Sequence, residues 1–345
     1  VDGSAIYVYG EGWNFGEVQD NARGVNATQQ NMDGVGIGTF NDRLRDAVRG
    51  GSPFGDREFQ GFISGLSLYD NGLTAGTPEE QRARLLLFSD QIRIGLAGNL
   101  RDFSFIGAAG DSVTGADIVY NGSPAGIVYN GSPAGYTLDP QEQIVYISKH
   151  DNETIWDILM YKQLPGATVD DYVRINNLGT SIVMLSQGVP FFHAGDDMLR
   201  SKSLDRNSYN SGDWFNRLDF TYQSNNFGVG LPLAGDNQDR WSIIQPILAN
   251  EALRPGEVQI QAAMAHFREM LQVRQSSRLF RLRTGEEVQQ HLSFQNVGPD
   301  QIPGLIVMTI ADNGETDLDV NYEMAVVLFN ASPDAVSFTQ AELAG

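Results

Sequence analysis

The chain of 345 residues contains no cysteine, which excludes disulfides, thiol nucleophiles and cysteine-held metals. Lysine is nearly as scarce. Lys149, Lys162 and Lys202 are the whole set, and every other basic side chain is an arginine. Positive charge is short overall, with 23 basic against 43 acidic residues and a formal net charge of −20. Such a surface repels nucleic acid and anionic membranes and suits a neutral or cationic ligand. No apolar run approaches the ~20 residues that span a bilayer. The histidines, His150, His193, His266 and His291, show no metal-ligand spacing, so no metal site is assigned. His193 also lacks the G-x-S-x-G that would make it a triad member. "GVGIG" at 34–38 has the glycines of a dinucleotide loop but neither a clear following helix nor a phosphate-binding lysine.

The pattern that is present alternates strands and helices. "AIYVYGEGW" (5–13), "VGIGTF" (35–40), "QIVYIS" (143–148) and "VPFFHAG" (189–195) read as buried strands. Residues 78–100, 153–162, 171–188 and 257–277 read as helices. In the last of these, Ile260, Ala263, Met264, Phe267, Met270 and Leu271 fall on one face. This predicts an α/β fold with a parallel sheet covered by helices. Beyond about residue 285, "VQQHLSFQNV", "GLIVMTIAD", "YEMAVVLFN" and "AVSFT" read as strands of a small antiparallel β domain. The nonapeptide "IVYNGSPAG" occurs at 118–126 and again at 127–135. Two copies do not make a solenoid, so the repeat reads as a duplication within a loop.

Two carboxylates stand just beyond predicted strand ends, Glu11 in "YGEGWNF" and Asp151 in "SKHDNE". Residues past the C-terminal ends of parallel strands form active-site rims. Gly10 and Gly12 allow a sharp turn beside Glu11, and Trp13 and Phe15 follow. Acids beside aromatic faces suit a sugar, whose C–H faces stack and whose hydroxyls bond. Paired carboxylates are the machinery of glycoside cleavage. Each residue alone also has a plain structural reading. Glu11 can be a loop acid, Trp13 a core residue, and Asp151 or Asn152 a helix cap.

The segments "YGEGWNFGEV", "GIGTFNDRLRDAVRGGSPF", "IRIGLAGNLRDF", "YISKHDNETIWD" and "LSQGVPFFHAGDDMLRSKSLDRNSYNSGDWFNRLDF" resemble the pullulanase and limit-dextrinase branch of the α-amylase superfamily of glycoside hydrolases. The resemblance implies cleavage of α-1,6 branch linkages in pullulan, limit dextrins, starch or glycogen, with retention of configuration. It implies that residues 1–284 are the second half of a catalytic (β/α)8 TIM barrel, and that 285–345 are a partial antiparallel β-sandwich. Glu11 then corresponds to the general acid/base and Asp151 to the carboxylate bracing the transition state. His150, Trp13, Phe15 and Phe54 correspond to cleft residues, and Lys202 and Asp205 to polar contacts with glucose units. No cofactor is required; calcium is common in the family, but no ligands are assigned here. The family's nucleophile, an Asp in a run like "GFRFD", has no counterpart in this sequence, so the chain is expected to be a fragment inactive by itself. An α-1,4-acting or mixed-specificity amylopullulanase, or a non-catalytic glucan-binding remnant, are the alternatives.

Overall fold

The structure, a computed structural model, describes residues 5–121, 132–314 and 317–340. Four short strands form a parallel sheet: β1 (Tyr9–Gly10), β2 (Gly38–Phe40), β3 (Gln143–Val145) and β4 (Val189–Pro190). Their order in space is their order in sequence, with Tyr9 opposite Gly38, Thr39 opposite Gln143, and Ile144 opposite Val189. All four predicted strands exist, but each is shorter than its apolar run, and β1, expected to be buried, is exposed. The residues that follow each strand leave the ladder to build loops at its C-terminal end.

Helices cover the sheet. Helix α1 (Asp42–Arg49) starts at Asn41, whose side chain accepts from the backbone of Arg43 and Leu44, satisfying two orphan donors. Every residue of α1 is buried, charged ones included, so its acids and arginines must pair with one another or with buried groups. Helix α2 (Pro78–Leu96) opens on a capping box between Thr77 and Glu80 with proline in the first turn. Helix α3 (Ile155–Tyr161) is capped by Thr154, which accepts from Asp157 N. The alternative of Asp151 or Asn152 as that cap therefore falls away. Helix α4 (Val169–Leu185) has a Thr168–Asp171 capping box, and a run of turns and short helices that includes Trp241–Leu248 leads to α5 (Glu257–Ser276). On α5, Ile260 and Ala263 are buried as expected, whereas Leu271 is exposed.

The C-terminal strands β5 (Leu292–Gln295), β6 (Leu305–Ala311) and β7 (Met324–Asn330) form an antiparallel sheet. Its inner residues Phe294, Met308, Ile310 and Phe329 join the hydrophobic core that holds Leu44, Ile92, Trp156 and Ile182. Two expectations differ here. Gly285–His291 is helical, because Thr284 caps a first turn carrying Glu286 and Glu287. "AVSFT" forms no strand. Most of the duplicated segment, residues 122–131, lies outside the described residues. Its two ends pair antiparallel, Val119 with Pro133 and Tyr120 with Ser132. No helix among the described residues is long and apolar enough to cross a membrane.

Candidate active site

The C-terminal end of the parallel sheet gathers the candidate side chains. Glu11 follows β1 directly, Asp42 follows β2, and Lys149, His150 and Asp151 follow β3. Gly12, next to Glu11, has φ of +75°, and a Cβ there would lie 2.9 Å from Thr39 Cβ. Only glycine fits that approach, and it turns the chain so that Glu11 stays over the strand ends. Gly10 is different, since a Cβ there would meet open space.

Lys149 draws the two acids together. Its Nζ donates to Glu11 Oε1 at 2.6 Å and to Asp151 Oδ2 at 2.5 Å. The lysine side chain is 5% exposed, while Glu11 and Asp151 are 41% and 52% exposed, so a buried cation anchors two accessible carboxylates. The ammonium also sits 5.7 Å from the centroid of Phe40. Burial pushes the Asp151 carboxyl up, but the hydrogen bond and charge of Lys149, aided by His150 and Lys202, hold it below its ordinary value. His150 is at the rim, with Nε2 3.4 Å from Asp151 Oδ2.

A cavity of about 330 Å³ opens beside this bridge. Glu11, Trp13, Phe15, Phe54 and Asp151 line it, together with Lys149. Phe15 and Phe54 are exposed, whereas Trp13 is half-buried against Phe40, Ile144 and Tyr146. Trp13 thus packs on the small cluster at the strand ends and also borders the cavity. The floor comes from α1 and from Tyr120. Arg45 Nε pairs with Asp46 at 2.7 Å and its Nη1 donates to Tyr146 Oη at 2.5 Å. Tyr120 Oη donates to Asp46 Oδ2 at 2.6 Å. Asp42 accepts from Gln29 at 3.0 Å and from Arg43 at 2.5 Å. These pairings satisfy Asp42, Arg43, Arg45 and Asp46 of α1 and leave a rigid polar base under the aromatic walls.

Lys202 and Asp205 do not line the cavity. Both are buried. Lys202 Nζ donates to the carbonyl of Asn152 at 2.6 Å, fixing the residue after Asp151, which has left-handed φ of 62°. Asp205 accepts from Ser211 Oγ at 2.6 Å and Asn237 Nδ2 at 3.0 Å. The Lys202 segment is also held through Asp157, which accepts from Ser201 Oγ at 2.5 Å and Lys202 N at 2.7 Å, and which burial pushes up to about 6. His193 faces Arg200 Nη1 at 3.0 Å, and burial together with that guanidinium pushes it down to about 3. An imidazole whose protonated form burial and a neighbouring guanidinium both oppose makes a poor general base. The glycine loop at 34–38 is also occupied from within, since Gly34 N and Gly36 N donate to Glu142 at 3.1 and 2.7 Å.

Among the described residues, one group of side chains has the proximity for a metal. The ligand atoms of Glu11, His150 and Asp151 lie within 4.8 Å of one another. The Lys149 ammonium already bridges its two carboxylates, and a second cation there would meet that charge. The donor set does not fit a resident metal.

Residues 222–345 match the family described as alpha-1,6-glucosidases, pullulanase-type, C-terminal. Over 99% of its length the chain is 47% identical to pullulanase 1, chloroplastic, of Arabidopsis thaliana, and covers 35% of that protein. It is 41% identical to a pullulanase of Klebsiella pneumoniae, again over 99% of its length and 30% of the relative's. A solved Klebsiella pneumoniae pullulanase complexed with maltotriose superposes on 95% of this chain with a TM-score of 0.87, at 41% identity and 30% of that chain. A Paenibacillus barengoltzii pullulanase mutant complexed with maltotetraose gives a TM-score of 0.64 at 25% identity, over 98% of this chain and 38% of that one. The chain spans about a third of the length of the curated relatives it matches.

Proposed function

Because this chain is a relative of the pullulanases and shares the fold of their C-terminal part, we propose that it supplies one wall of an α-1,6-glucan hydrolase site. The whole protein would cleave the branch linkages of pullulan, limit dextrins, starch or glycogen with retention. The observation that carries this reading is the Lys149 bridge, which sets Glu11 and Asp151 side by side at an aromatic-walled cavity. In this reading Glu11 protonates the leaving glycosidic oxygen and later deprotonates the attacking water. Asp151, which Lys149 keeps ionised, braces the sugar as positive charge develops at its anomeric carbon. Trp13, Phe15 and Phe54 stack on glucose rings, and His150 bonds hydroxyls at the rim. Lys202 and Asp205 act from behind, holding the backbone next to Asp151 and the loop beyond it.

A retaining reaction needs a carboxylate nucleophile as well. Asp42 is the remaining acid at the cavity among the described residues, but it is buried in α1 and its Oδ1 accepts from both Arg43 and Gln29. The proposed nucleophile therefore comes from outside this chain. The sheet would then be half of a (β/α)8 barrel, with residues 1–284 in the catalytic unit and 285–345 in a β appendage. Support comes from the outer edge, where Ile6, Tyr7, Val8 and Tyr9 are all exposed beside β1. An edge of that kind invites a further strand.

The test compares the chain alone with a longer protein that contains it. Residues 1–345 should release no reducing sugar from pullulan. The longer protein should release maltotriose, and its Glu11→Gln variant should lose turnover by a factor of 10³ or more while still binding. Turnover by the chain alone, or by that variant at the unsubstituted rate, overturns the assignment.

A further inference from the structure

We infer a second sugar-contact site on the ledge of Asp213, Trp214, Asn216 and Arg217, where an indole face stacks on a glucose ring of a neutral glucan. None of these four residues lines the cavity of the two acids. The inference rests on the glucan reading above for its ligand class, but on separate residues.

Trp214 is 63% exposed, although tryptophan is usually mostly buried. Its position is nonetheless fixed. The indole Nε1–H donates to Val229 O at 2.9 Å, so the one polar atom of the ring is satisfied internally. The backbone beneath is held from two sides. Asn226 Nδ2 donates to the carbonyls of Trp214 and Phe215 at 3.0 and 3.2 Å, and Phe215 is buried. Asn216 Nδ2 donates to Ser208 O at 2.8 Å and Gly212 O at 3.0 Å, and its Oδ1 accepts from Ser208 Oγ at 2.8 Å. An exposed aromatic on a backbone so tightly held loses little freedom when a ligand arrives.

Beside the ring lies a concavity of about 330 Å³ lined by the same four residues. Asp213 and Arg217 put one negative and one positive group at its edge, in a chain of net charge −20. Their charges cancel locally, which favours a neutral partner rich in hydroxyls over an anion or a polycation. A flat apolar face next to a carboxylate and a guanidinium matches the C–H face and hydroxyl rim of a pyranose. A protein partner would need a contact of about 800 Å² per side, far larger than this ledge.

The experiment is affinity electrophoresis of the 345-residue chain through native gels containing pullulan, with Trp214→Ala, Trp214→Tyr and Trp13→Ala beside the unsubstituted chain. Trp214→Ala should weaken the apparent affinity about tenfold, the factor that corresponds to ~1.4 kcal/mol. Trp214→Tyr, which keeps an aromatic face, should recover most of the affinity and shows that the loss is not one of folding. Equal retardation of Trp214→Ala and the unsubstituted chain refutes the ledge. If Trp13→Ala alone loses retardation, the ledge is refuted and the glucan reading of the main cavity stands. If the unsubstituted chain is not retarded at all, the ledge is refuted, while the main cavity, of which this chain is one wall, is judged by the longer protein above.

Discussion

Replacing Lys149 by methionine isolates the bridge between the two acids. The side chain keeps its length and its burial, and only the ammonium goes. Fully buried, each charge-assisted bond would contribute ~1.5–3 kcal/mol. Glu11 and Asp151 are 41% and 52% exposed, so solvent screening reduces each to about 1 kcal/mol. Against this stands the desolvation of an ammonium on a side chain only 5% exposed, and up to ~2 kcal/mol of rotamer entropy for ordering it. The opposing effects are of similar size, so a thermal melt at one pH is the wrong assay. The Asp151 carboxyl reports the bridge directly. With the ammonium gone, burial is opposed by little more than the exposed His150 and the more distant Lys202. Its titration midpoint, followed by carboxyl 13C NMR, should rise from below the ordinary 3.8 to above it. Linkage gives a second readout with a defined sign. A carboxyl whose folded value is depressed contributes stability above its unfolded value, and loses it as pH falls through the folded value. The stability of the native protein minus that of Lys149→Met should therefore shrink on acidification below about 4. An Asp151 midpoint that stays below 3.8 in the variant refutes the bridge as the cause.

Two further outcomes follow from groups behind the cavity. Burial and the nearby Arg49 push Lys162 down to about 7, and its Nζ donates to the carbonyls of Arg57 at 2.8 Å and Gly50 at 3.5 Å, and also to that of Phe59. Between about 7 and 10.5 the unfolded chain holds a proton that the folded one has released, so stability should rise with pH across that window. Urea midpoints should show the rise, and Lys162→Met should flatten it. In α2, a Cβ on Gly95 would lie 2.5 Å from Leu44 Cδ1, where the helix crosses the wholly buried α1. Gly95→Ala should lower stability by ~1–3 kcal/mol in denaturant titrations, and the same change should cost less when made in a Leu44→Ala background.

The sheet and its helices were legible because their signals are local. Short apolar runs mark the strands, and Pro78 with the acids after it marks a helix start, whereas α4 begins at Val169, capped by Thr168, ahead of the 171 read from the sequence. Strand lengths were not legible, since Tyr146 and Ile147 are as apolar as Ile144 and Val145 but sit beyond the ladder. "VQQH" was read as strand although Thr284 and Glu287 had the spacing of a capping box, a signal that outranks an apolar pair. The two acids were legible because each follows a strand. What joins them was not, because a hydrogen bond across 138 residues of sequence leaves no periodicity. Scarcity was the available clue. All three lysines are buried, and each holds a wall of one cavity. Lys149 ties Glu11 to Asp151, Lys202 pins the carbonyl of Asn152, and Lys162 gathers the carbonyls of Gly50, Arg57 and Phe59 at the base of the loop that carries Phe54. A chain that otherwise uses arginine for its positive charge holds these three joints with a compact single-nitrogen head, whereas its buried Arg274 gathers the carbonyls of Met184, Ser186 and Gly188 through the two arms of a guanidinium.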